Sequence, residues 1–165
     1  MTTTPTPTPT PTQKYLDTLK LYYEEEVEGE AYFDCIAERL DDPDHKQKMR
    51  LMARVENYAA ASVFPLLEKY GLTPRPSETL SASGKTQAED STTDWSNLIA
   101  GMRKTFPGYI DDFEGLEAMA PVEDLPMLKI LTAHEVAAIK FLELEAKGEP
   151  GSANPMHHYL KTGTA

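Results

Sequence analysis

The chain has 165 residues, 40% of them hydrophobic, which is enough for one domain with a single core and too few for two. Its 27 acids against 16 Lys and Arg give a formal charge of −11, which argues against nucleic-acid backbone or an anionic membrane as partner. The single Cys35 excludes an internal disulfide, and no apolar run approaches the roughly 20 residues that span a bilayer. With no basic-then-apolar leader, these features are those expected of a cytoplasmic protein, with Cys35 a small buried hydrophobe.

Residues 2–12 alternate Thr with Pro, which removes amide donors and favours an extended, solvated arm. Residues 13–148 carry the helical pattern of the domain, and 149–165 read as a loop-like tail with one turn near His157. The first helix is expected from Gln13 to about Leu40, its apolar stripe running through Leu16, Leu19, Tyr23, Val27, Glu30, Ala37 and Leu40. Glu24, Glu25, Glu26 and Glu28 fall mostly off that stripe and read as a solvated charge run. Gly29, beside Glu30, weakens the helix by about 1 kcal/mol relative to Ala and suggests close approach by a neighbour.

A break at Asp41, Asp42 and Pro43 leads into a second helix, about Pro43 to Tyr70, which so short a link should make an antiparallel neighbour. Its stripe passes through Met49, Met52, Glu56, Ala59, Val63, Leu66 and Tyr70, while Pro65 should bend it and Gly71 close it. Leu72 to Thr93 is rich in Pro, Ser and Thr, lacks a sustained period and reads as a long crossover connection. The third helix begins near Asp94, with stripe Trp95, Leu98, Met102, Phe106, Tyr109 and Phe113; Pro107 and Gly108 either kink or divide it. The fourth runs from about Leu125 to Lys147, N-capped by Asp124, with stripe Leu128, Leu131, Glu135, Ala138 and Leu142.

Three stripes therefore carry an acid, Glu30, Glu56 and Glu135, where an apolar residue would ordinarily sit. An unpartnered carboxylate in an apolar interior costs several kcal/mol, roughly, so each needs a metal, a cation, a hydrogen bond or its own proton. A hydroxyl from Tyr23, Tyr58 or Tyr109 is one source of such a bond. Other patterns carry less. His134-Glu135 begins like a zinc-protease motif, but Ala138 stands where the second His belongs. Ser83 to Thr86 copies the end of a phosphate-binding loop, yet Thr79 replaces its first Gly and no strand precedes it. His134 lies beside the stripe and suits a helix-interface hydrogen bond, while His45, His157 and His158 read as solvated.

Four amphipathic helices in two pairs, with Glu30 on the first, Glu56-Asn57-Tyr58-Ala59 on the second and Glu135-Val136-Ala137-Ala138 on the fourth, resemble the ferritin-like, rubrerythrin-type superfamily. The resemblance implies an all-α, four-helix up-down bundle with one long crossover, and the two tetrads look like the Glu-x-x-His ligand pairs of that superfamily with Ala in place of His. Two functional classes follow. One is a non-catalytic, degenerate-site member acting as a structural or interaction protein, with a helix face for homodimerisation. The other is a di-iron-type oxidoreductase or iron-binding protein, in which Glu30, Glu56 and Glu135 hold iron or another divalent metal.

Overall fold

A computed structural model describes residues 10–165, and the described chain is all helical. Most of the expected Thr-Pro arm lies outside the described residues; its end, Thr12, N-caps the first helix by accepting from the Tyr15 amide at 3.1 Å. Among the described residues there are seven α-helices: α1 (Gln13–Arg39), α2 (Pro43–Lys69), α3 (Ser77–Glu89), α4 (Trp95–Thr105), α5 (Pro107–Met119), α6 (Leu125–Ala146) and α7 (Asn154–Thr162). No helix among them is long and apolar enough to cross a membrane.

Local chemistry sets most boundaries. Asp42 caps α2, accepting from the amides of Asp44 and His45, and Pro43 occupies the first turn, where its missing donor costs no bond. Gly71, at a φ of 63°, releases the chain after α2 in a left-handed conformation that side chains disfavour. Asp94 caps α4 by accepting from Asn97. Pro107 divides the third segment, since it offers no amide; Phe106 keeps helical angles, so α5 continues directly from α4.

Side-chain pairs fix the directions. Glu56 against Gly29 and Tyr15 against Tyr70 make α2 antiparallel to α1. Lys48 reaches Glu145 and Lys69 reaches Asp124, so α6 is antiparallel to α2. Arg103 with Glu143 and Thr132 with Glu117 set α4 and α5 antiparallel to α6. With α4 and α5 as one segment, the four principal segments run up, down, down and up, which requires a long connection after α2.

That connection is not the unstructured crossover expected from its composition. Its centre is α3, laid along α1 with Leu80, Gly84 and Ala88 buried. Gly84 is required there, because a Cβ would overlap the Glu28 carbonyl oxygen of α1. The same position rules the Ser83 to Thr86 phosphate-loop pattern out as a loop. Arg75 pairs with Glu24 and Glu28, and Arg39 donates to the Ala88 and Ser91 carbonyls, fastening α3 at both ends. The tail also departs from expectation. It forms α7, whose Met156 and Tyr159 are fully buried, and the Tyr159 hydroxyl donates to the Ile130 carbonyl at 3.0 Å.

The apolar interior falls into two clusters. Tyr15, Leu19, Val63, Leu67, Leu116 and Leu128 belong to one; Phe33, Ile36, Met49, Met52, Phe141 and Tyr159 belong to the other. Along α1, α2 and α6 the boundary between them falls at Glu26, Glu56 and His134-Glu135.

Candidate metal centre

Four buried polar side chains meet at that boundary. α1 supplies Glu26, α2 supplies Glu56, and α6 supplies both His134 and Glu135. Glu56 arrives on the expected stripe, flanked by buried Met52 and Ala59, and Glu135 likewise stands between Leu131 and Ala138. The expected close approach at Gly29 is made by Glu56 itself. A Cβ on Gly29 would stand 2.9 Å from Glu56 Oε2, so glycine is what admits the carboxylate between α1 and α2.

Glu30 is not in the cluster. It is half-buried, and its carboxylate accepts from Asn57 Nδ2 at 3.0 Å. Glu26, one turn earlier, takes the inward place, and with Glu24 it corrects the reading of this stretch as a solvated face. A row beginning at Tyr15 and stepping by alternating fours and threes passes through Leu19, Tyr22, Glu26, Gly29, Phe33, Ile36 and Leu40. The expected stripe shares the buried Leu19, Ala37 and Leu40 but runs one residue out of phase between them, at Tyr23, Val27 and Glu30.

His134 is the other missed residue. It is 1% exposed, because α6 is covered by α2 on one side and by α5 on the other, so the inward face is wider than one stripe. Its Nδ1 lies against the Leu131 carbonyl. A carbonyl can only accept, so Nδ1 carries the hydrogen and donates, and in the neutral ring Nε2 presents a lone pair. Nε2 is 3.0 Å from Glu26 Oε2, 3.5 Å from Glu135 Oε2 and 3.7 Å from Glu56 Oε2. With the hydrogen on Nδ1, Nε2 has none to donate to Glu26, and Glu26 Oε2 and Glu135 Oε1 have no hydrogen-bond partner among the described residues.

Lone pairs and carboxylate oxygens gathered this closely repel unless a proton or cation lies among them. Burial pushes Glu26 up to about 8, partly offset by a bond with Glu56 and reinforced by Glu135. Burial likewise pushes Glu135 up to about 8, with His134 opposing and Glu56 adding. Glu56 is raised well above the usual carboxylate range by burial and then by Glu26. None of Tyr23, Tyr58 and Tyr109 hydrogen-bonds Glu30 or Glu56 among the described residues.

One ligand atom from each of Glu26, Glu56 and His134 lies within 4.8 Å of the others, so this group could hold a metal ion. No protein-family model, curated protein or solved structure matches the chain. From the third segment, Met102 and Tyr109 face the adjoining space but bring no carboxylate, and Asp112 is exposed. Ala59 and Ala138 are fully buried in opposite apolar clusters. A cavity of about 720 Å³ opens beside the acids, between α1 and the α4–α5 segment, giving the group a route to solvent.

Proposed function

We propose that the chain is a ferritin-like helical protein that holds one divalent transition-metal ion through Glu26, Glu56 and His134, with Glu135 alongside. The observation that carries this reading is the buried imidazole nitrogen facing carboxylate oxygens, two oxygens of the cluster having no hydrogen-bond partner. Two carboxylates and one imidazole are the hard and borderline donors that suit iron, manganese or zinc. The Leu131 carbonyl holds His134 in the tautomer whose Nε2 can ligate. The up, down, down, up order and the long link after α2 support the ferritin-like assignment. Glu26 takes the place expected of Glu30, and the lack of a carboxylate from α4 and α5 favours one ion over a pair. Bound there, iron or manganese would supply a Lewis acid and a one-electron couple at the floor of an open cavity.

A second reading keeps the acids as a metal-free structural remnant. The raised proton affinities of Glu26, Glu56 and Glu135 favour it, since a proton shared between Glu26 and Glu56 would relieve part of the repulsion. Metal analysis of untagged protein purified without chelator separates the two. The proposal expects about one ion per chain, with Glu56→Gln and His134→Ala losing it. Folded protein that takes up no iron, manganese or zinc on dialysis would leave the remnant.

A further inference from the structure

The cavity beside the acids has walls of two kinds. Tyr32 and Phe33 of α1 and Phe106 and Tyr109 of the α4–α5 segment line it as a continuous row of rings, with successive centroids 5.0, 6.4 and 5.8 Å apart. Facing the same space are Glu25 at the open side and Glu135 at the floor, and no Lys or Arg lines it. Glu25 has no cationic partner among the described residues, whereas the neighbouring Glu28 is paired with Arg75. Asp112 and Glu28 lie close enough to Glu25 to deepen the negative field there. Glu135, 4% exposed, has an oxygen without a hydrogen-bond partner.

A volume of about 720 Å³ is within the range of small-molecule sites, far more than hydrated ions require. The electron-rich faces of aromatic rings and the Glu25 carboxylate, which has no cationic partner among the described residues, attract the same occupant, a positive charge carried on an apolar body. A carboxylate or phosphate ligand would meet five acids and, apart from His134, no basic side chain. We infer that this cavity binds an organic cation, a primary or secondary amine whose ammonium pairs with the Glu25 carboxylate and donates to the unpartnered oxygen of Glu135, and whose aromatic or aliphatic body lies along Phe33, Phe106 and Tyr109. The site takes Glu25 rather than Glu26, Glu56 or His134 as its ionic partner and shares only Glu135 with the proposed metal centre, so it goes beyond that assignment.

Three probes of nearly equal shape test this on the full chain: 2-phenylethylamine, 2-phenylethanol and 3-phenylpropionate. Binding is measured by calorimetry at neutral pH, with chelator-treated and with metal-loaded protein. The amine should bind at least about tenfold more tightly than the alcohol, and the carboxylate least, in both forms. Glu25→Gln should reduce amine affinity about fivefold and leave the alcohol unchanged, with its melting temperature confirming the fold. Equal binding of amine and carboxylate overturns the inference, as does failure of all three to saturate the wild type by about 10 mM. Loss of amine binding on metal loading would overturn the placement on Glu25 and Glu135. A missing metal would show separately, in the elemental analysis, and leaves this result standing.

Discussion

A single buried acid and a cluster of three lie along the α1–α2–α6 interface, and their surroundings are opposites. At one end Asp124, fully buried, accepts from the Tyr15 hydroxyl at 2.7 Å, the Tyr70 hydroxyl at 2.6 Å and Lys69 Nζ at 2.7 Å. Burial alone would raise its proton affinity, but Lys69, Tyr70 and Tyr15 outweigh it and hold the carboxyl below its usual range. At mid-bundle Glu26, Glu56 and Glu135 share one imidazole, and two of their oxygens have no hydrogen-bond partner. A buried acid that only joins helices is supplied with donors by the fold. Acids whose donors are missing must keep their protons or be met by a cation from outside the chain. Asp124 stands at the expected N-cap position of α6 but makes no capping bond, its carboxylate being spent on α1 and α2.

The largest expected effect is the pH dependence of chelator-treated protein. Glu26 and Glu135 rise to about 8 from an ordinary value near 4.5, so between those limits the folded state binds more protons than the unfolded one. Stability is then greatest below about pH 4.5 as far as these groups are concerned, and it falls as pH rises through about 8. At about 1.4 kcal/mol for each pH unit crossed between those limits, the change should reach several kcal/mol, read as a falling melting temperature. Saturating metal should reverse the slope, because ligation requires the deprotonated acids. A flat profile with and without metal would mean that the mid-bundle acids are as well satisfied as Asp124.

Next come two parallel substitutions followed by denaturant unfolding. Asp124→Val orphans the buried Tyr15 hydroxyl and removes the partner of Lys69, and should cost about 3 kcal/mol. Glu56→Leu in metal-free protein removes one of several repelling acids and should be neutral or stabilising by about 1 to 2 kcal/mol, while abolishing any stabilisation by metal. If Glu56→Leu cost as much as Asp124→Val without metal, the distinction between the two groups would fail. The smallest effect is expected of Gly29→Ala. Its Cβ must displace Glu56 Oε2, so ion affinity should drop about tenfold while global stability changes by about 1 kcal/mol. Unchanged affinity would place the ion elsewhere than against Glu56.

Much of this fold was legible in single residues. Every stripe position on α6 is buried, and those on α2 are buried except Tyr70, which is partly exposed. α2 has one apolar face with the 3.6-residue period, α6 is apolar over a wider face that includes its stripe, and the Asp42, Pro43 and Gly71 boundaries follow from the chemistry of caps and turns. Glu56, Glu135 and the crowding at Gly29 were visible for the same reason, an interruption in an otherwise regular pattern. α1 was harder, because α2, α3 and α5 cover it on several sides and the buried residues no longer form one row. Glu26 hid in a run of acids, two of which are buried in the fold, Glu24 paired with Arg75 and Glu26 beside His134.

Periodicity and local propensity determined the helices, their ends and which face of α2 and α6 turns inward, since those depend on residues within a turn or two of one another. The partners of the acids depend on residues far apart in the chain: Asp124 on Tyr15, Lys69 and Tyr70, and Glu26 on His134. Only the tertiary arrangement decides whether such partners arrive. Two equally buried carboxylates can therefore end with opposite proton affinities, because burial supplies the penalty at each while the donors that offset it come from other helices.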